Sequence, residues 1–74
     1  MSSKLPILSW REVVKALKKV GFRIVYQKGS HLYLTDGKHK LTVPRHDALK
    51  RGTLLAIIYQ AGLTKEEFLR LLRD

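Results

Sequence analysis

The 74-residue chain contains no cysteine. That removes disulfide staples, thiolate nucleophiles and cysteine-based zinc sites together, and it fits a reducing compartment. Long apolar runs are also missing, so no membrane span is expected. Residues 1–8 hold one lysine and a proline in a short apolar stretch, too weak for a secretory signal; a cytoplasmic protein is expected. No glycine-rich nucleotide loop and no Ser/His/Asp order occurs. The three histidines, His31, His39 and His46, lack i, i+4 spacing and have no carboxylate cluster beside them, so neither a metal nor another cofactor is expected. Acidic residues are the last scarcity: 6 Asp and Glu stand against 15 Lys and Arg, for a net charge of +9.

Such a surplus on so small a body attracts a polyanion. The basic residues are spread over every expected element, whereas a membrane-surface peptide would stripe them along one helix. Nucleic acid is therefore the favoured partner. The apolar fraction of 45% is ordinary for a folded domain, and the length allows one domain, residues 1–74. A domain this small buries only about 60% of the surface its unfolded chain exposes, so its stability margin is thin.

Local signals set the order of elements. Ser9 and Glu12 form an S-x-x-E capping box, with Leu8 and Val13 at the positions of a hydrophobic staple. Trp10, Val13, Val14 and Leu17 then recur with helical spacing, which puts Trp10 in the core, and Gly21 is the expected C′ residue. Three strands follow, at 22–27, 31–35 and 40–43, joined by Lys28-Gly29-Ser30 and Asp36-Gly37-Lys38. Connections this short require an antiparallel meander. A helix over 53–60 ends at Gly62, and Thr64 with Glu67 caps a closing helix. The order αβββαα makes an α+β domain, a three-stranded antiparallel sheet with its helices on one face.

Burial selects the register, because a one-residue slip exchanges the faces of a strand. A three-residue first turn pairs Ile24 with Leu34 and Tyr26 with Leu32, all inward; a two-residue Gly29-Ser30 turn would pair Ile24 with Thr35 and is rejected. A two-residue Gly37-Lys38 turn pairs Leu34 with Leu41 and Leu32 with Val43. The open face then carries Arg23, Val25, Gln27, His31, Tyr33, Thr35, Lys40 and Thr42. His31 falls opposite Pro44, so Arg45 and His46 leave the sheet nearby.

His31 stands out on this face, since imidazole gives and takes protons near neutral pH. Metal-free RNA cleavage needs a base for the 2′-hydroxyl, an acid for the departing 5′-oxygen and cations for the phosphate. His31 suits either proton role, and Arg23, Lys28 and Lys40 suit the phosphate. Gly29 is a turn residue; the Ser30 hydroxyl has the further option of orienting His31 or a phosphate. Tyr33 either stacks an RNA base or covers Val25. His46 is either a second proton-transfer group or phosphate contact, or a plain loop residue bonded to Asp47. His39, at a turn end, is expected to be solvated.

Gly21-Phe22, Lys28-Gly29-Ser30-His31, Pro44-Arg45-His46, Gly52-Thr53-Leu54 and Gln60-Ala61-Gly62, with Leu5-Pro6 before them and Glu66-Glu67-Phe68-Leu69 after, together resemble the HicA (YcfA-like) toxins over nearly the whole chain. The resemblance implies a fold similar to the double-stranded-RNA-binding domain. It also implies mRNA interferase (endoribonuclease) activity, a catalytic histidine at His31, and a HicB-type antitoxin that covers that histidine. Arg23, Lys28, Gly29, Ser30, Tyr33, Lys40, Arg45 and His46 are the expected RNA-binding residues around it. The competing expectation is a non-catalytic double-stranded-RNA-binding module, gripping phosphates with a basic cluster at the start of the last major helix; Lys50 and Arg51 lie near that place, though Gly52-Thr53 dilutes the signal. A DNA-binding regulator has no helix-turn-helix pattern in its favour.

Overall fold

A computed structural model describes residues 5–73. The elements are α1 (Trp10–Lys18), β1 (Arg23–Lys28), β2 (His31–Thr35), β3 (Lys40–Pro44), α2 (Arg51–Gln60) and α3 (Lys65–Arg73), an α+β fold in the expected order. Both capping boxes form. The Ser9 amide donates to Glu12 at 2.9 Å and the Glu12 amide to the Ser9 hydroxyl at 3.3 Å. The Thr64–Glu67 pair repeats the exchange at 2.7 and 3.0 Å. Each box satisfies two orphan donors at a helix start, so α1 and α3 begin where their sequences dictate. α2 begins two residues earlier than expected. Lys50 is extended and its carbonyl accepts from the Leu54 amide at 2.9 Å. Buried Leu49, whose amide donates to the Leu8 carbonyl at 2.8 Å, fixes the entry, and Gly52 is simply carried in the first turn.

The sheet is antiparallel in the order β1-β2-β3. Leu32, Leu34, Leu41 and Val43 point inward and pack with Val13, Leu17, Leu54, Ile57 and Phe68 in one buried cluster. Between β2 and β3 the register is as expected: Leu34 faces Leu41, Leu32 faces Val43 and His31 faces Pro44. Pro44 lies on an edge strand, where its missing N–H costs little.

The β1–β2 register departs from expectation. Lys28 faces His31, Gln27 faces Leu32 and Tyr26 faces Tyr33, while Ile24 still faces Leu34. The turn is the two-residue Gly29-Ser30 connection. Gly29 sits at φ +58° and Ser30 on the negative side, the pattern of a type II′ hairpin turn. Val25 is left unpaired as a β-bulge, and the extra residue restores the Ile24–Leu34 pairing that the shorter turn would otherwise break. Consequently Tyr26 and Lys28 join the open face, and Gln27 leaves it. β1 is also less covered than expected. The helices pack over the β2–β3 half, so Ile24 remains 41% exposed and Val25 53%.

α2 closes with paired bonds, Leu63 amide to Ile58 carbonyl at 3.2 Å and Gly62 amide to Tyr59 carbonyl at 3.0 Å, the Schellman pattern with glycine at C′. α1 closes the same way through Phe22–Leu17 and Gly21–Lys18. Gly62 is at φ +75°, and a Cβ there would lie 2.6 Å from Nε2 of His39. The end of α2 is thus pressed against the β2–β3 turn.

Gly62→Ala is expected to destabilise the fold by about 2 kcal/mol, from left-handed backbone strain plus displacement of the His39 ring. In a His39→Ala background the steric part disappears, so urea denaturation of the single and double variants should give a smaller loss there. Equal losses would show that the ring does not matter.

Candidate functional site

The side chains opposite the helices form a continuous exposed surface. On adjacent rungs it carries Lys28 facing His31 and Pro44, Tyr26 facing Tyr33 and Thr42, and Arg23 facing Thr35 and Lys40. His31 is exposed at the start of the central strand, set there because Leu32 and Leu34 take the inward positions. Directly opposed residues in an antiparallel pair have Cβ atoms about 5 Å apart, so a lysine stem borders the imidazole from β1. The Gly29-Ser30 turn caps this rung. The Ser30 carbonyl accepts the Arg45 amide at 2.7 Å, which ties the chain leaving β3 to the turn before His31. Gln27, from the other face, reaches the Gly29 carbonyl at 3.4 Å. Gly29, Ser30, Lys28, His31 and the Arg45 backbone are therefore held together by the hairpin itself, whereas Arg23 and Lys40 lie at the opposite end of the sheet.

Arg45 takes an unexpected course. Its guanidinium stands 5.0 Å from the centroid of the Trp10 ring, and that of Arg11 stands 4.8 Å from the same ring. Trp10 is thus only partly buried, packed against the core while serving as a platform for two cations. Cation–π attraction of this kind contributes about 0.5–1 kcal/mol at exposed sites. No local sequence signal brings Arg11 beside Arg45. The exposed residue His46 contributes through its backbone, its carbonyl accepting the Trp10 amide at 3.0 Å and its amide donating to Pro44 at 2.8 Å.

His39 is not a solvated turn residue. Its Nδ1 lies 2.9 Å from Asp36 Oδ2 and its amide donates to Oδ1 at 2.5 Å, with Lys38 donating to the same oxygen at 2.8 Å. These bonds, the His39 amide first and its ring second, hold the Asp36 carboxyl well below its ordinary value of 3.8. Among the described residues no Lys or Arg lies within ion-pairing distance of a carboxylate. The lysines and arginines around His31 have no carboxylate partner among the described residues, which leaves their field without local neutralisation. A surface of this kind can bind a phosphodiester and present an imidazole to it.

The family model for the HicA toxin of bacterial toxin–antitoxin systems matches residues 10–63. The chain belongs to the HicA toxin family. The match runs from α1 through the end of α2 and includes every residue of the open sheet face, while α3 lies beyond it. No curated protein matches the chain. Membership makes the chain the toxin of a toxin–antitoxin pair and implies a cognate antitoxin. Among the described residues, no helix of this HicA-family toxin is long and apolar enough to cross a membrane.

The Asp36 bonds generate a pH prediction. A carboxyl whose folded pKa is depressed adds stability that is present above its unfolded value and lost as pH falls towards the folded value. The melting temperature should therefore drop as pH is lowered below about 4, and the Asp36→Asn variant should follow a flatter acid limb, converging with the parent at the lowest pH. Part of the slope should persist, because the Thr64 amide and hydroxyl lower the Glu67 carboxyl as well. Parallel limbs in the two proteins would remove Asp36 from the acid response.

Proposed function

We propose that this HicA-family toxin is an mRNA interferase, an endoribonuclease that cleaves RNA by a histidine-based, metal-independent reaction. The observation that carries the reading is the His31–Lys28 rung, an exposed imidazole directly across from a lysine, on a sheet face whose cations have no carboxylate partners among the described residues. In the reaction the RNA 2′-hydroxyl attacks the neighbouring phosphorus and the bond to the 5′-oxygen breaks, leaving a 2′,3′-cyclic phosphate and a 5′-hydroxyl. His31 either takes the 2′-hydroxyl proton or supplies the proton to the departing oxygen. Lys28 stabilises the charge that develops on the phosphoryl oxygens. The Gly29-Ser30 turn and the Arg45 segment hold the phosphate register, and Arg23 and Lys40 guide the strand at the far end of the sheet. His46, next to Arg45, is the second imidazole available for the complementary proton. Among the described residues no three His, Asp or Glu side chains gather.

The antitoxin, in the same reading, is a HicB-type protein that covers His31 and sets acidic side chains against this face, since charge complementarity speeds encounter and fixes orientation. The second reading is a double-stranded-RNA-binding module. It is favoured by Lys50 and Arg51, exposed at the very start of α2, where no side chain caps the helix. Binding that falls steeply with salt but never cuts would decide for it.

His31→Ala is expected to lower RNA cleavage at least about 10²-fold and to abolish growth arrest while leaving the circular dichroism spectrum unchanged. Lys28→Ala should cost about 10²-fold with little effect on folding. Cleavage by the parent should persist in excess chelator and yield cyclic-phosphate ends. Undiminished cleavage by a folded His31→Ala protein would refute the assignment.

A further inference from the structure

The two-residue Gly29-Ser30 turn puts Tyr26 on the open face, opposite Tyr33. The two rings lie 5.5 Å apart between centroids, tilted by 43°. Exposed tyrosines on a small domain usually tuck their rings against neighbours, yet Tyr26 keeps 58% of its surface open and Tyr33 36%. Tyr33 also borders a shallow, mainly apolar hollow shared with Val25 and Lys40. The aromatic rung is the neighbour of the His31–Lys28 rung, two residues along each strand, about 7 Å away. That is a distance a phosphate and the base of an adjoining nucleotide can bridge. An aromatic surface beside a cation and an imidazole, on an exposed sheet face, matches the chemistry of an unpaired nucleotide. Its base has a π-face to stack, and its phosphate has a charge to hold.

We infer that Tyr26 and Tyr33 form a stacking platform for an unpaired base next to the scissile phosphate, which makes the substrate a single-stranded RNA segment. This rests on the nuclease reading above. It adds Tyr26 as a substrate-contacting residue and fixes the strandedness of the RNA. A base inside a duplex is already stacked on its neighbours and cannot lie on the platform without being extruded, so paired RNA is disfavoured.

The test uses the full chain carrying His31→Ala, which keeps RNA intact, and a fluorescent RNA oligonucleotide containing a site that the parent protein cuts, either alone or annealed to its complement. Anisotropy titration should show at least tenfold tighter binding of the single strand. Adding Tyr26→Ala or Tyr33→Ala should weaken single-strand binding about fivefold to a hundredfold, the range for loss of one base–aromatic stack, with Tyr26→Phe and Tyr33→Phe restoring it. An abasic site beside the cut position should weaken parental binding and leave the Tyr26→Ala protein unaffected. Equal affinity for duplex and single strand would overturn the inference. Alanine variants that bind RNA normally but no longer bind the antitoxin would also overturn it, making the pair a protein-docking patch. If the parent cuts no RNA, the oligonucleotide is replaced by a mixed-sequence one. Stacking-dependent binding there would retain the platform while the nuclease reading falls, and its absence would remove both.

Discussion

The register of the first hairpin is the constraint on which this molecule turns. A two-residue turn and a one-residue bulge act as a pair: the turn shifts β1 by one place, and the bulge at Val25 shifts it back before Ile24. Between the two devices, the strand presents Lys28 and Tyr26 outward across from His31 and Tyr33. Beyond the bulge, the original alternation resumes. Lengthening the turn alone would exchange the faces of β1, and the lysine and one tyrosine would leave the surface that holds the histidine; losing the bulge alone would leave those two in place and turn Ile24 outward. The chemistry of the site is therefore encoded in backbone connection length as much as in side-chain identity.

The same arrangement explains how the fold tolerates an uncovered basic sheet. The core is assembled from β2, β3 and the three helices, and β1 contributes pairing with little burial. Strands buried on both faces would need apolar residues where the cations stand. Leaving β1 at the edge leaves its side chains exposed, at a cost in buried area that a small domain feels. Compensation is local and polar. The two capping boxes hold the helix starts, Asp36 gathers the β2–β3 turn, and the Lys19 ammonium donates to the Leu71 carbonyl at 2.7 Å, tying the end of α3 to α1.

What could be read from the sequence was what depends on neighbours a few residues apart. The capping boxes, the helical stripe of Val13, Val14 and Leu17, the β2–β3 register and the outward aim of His31 all follow from local pattern, and all are observed. The bulge was invisible because the alternation of Phe22, Ile24 and Tyr26 reads as an unbroken buried strand. That reading assumes helices over β1, and where the helices settle is a property of the whole chain. The Trp10 platform was missed for a similar reason, since nothing near Arg11 or near Arg45 names the other. For His39, the Asp36 contact lies within a four-residue turn, but its packing on Gly62 joins two ends of the fold. The exposure of His31 was legible because its orientation is inherited from Leu32 and Leu34, whose burial no distant element had to decide.

Burial separates the two jobs of the chain. His31, Lys28, Tyr26, Tyr33 and Arg45 are all exposed, and none belongs to the buried cluster. Substitutions at such positions usually shift stability by no more than about 0.5 kcal/mol. The residues that hold the register are different ones: Leu32 and Leu34 from within, Gly29 in the turn, and the Ser30–Arg45 backbone bond. The site can thus change its side chains without losing its geometry, while a change in turn length would move Lys28 and Tyr26 at once. Variation in what such a surface binds is open to point substitution, and variation in where its groups stand requires an insertion or deletion in the first hairpin.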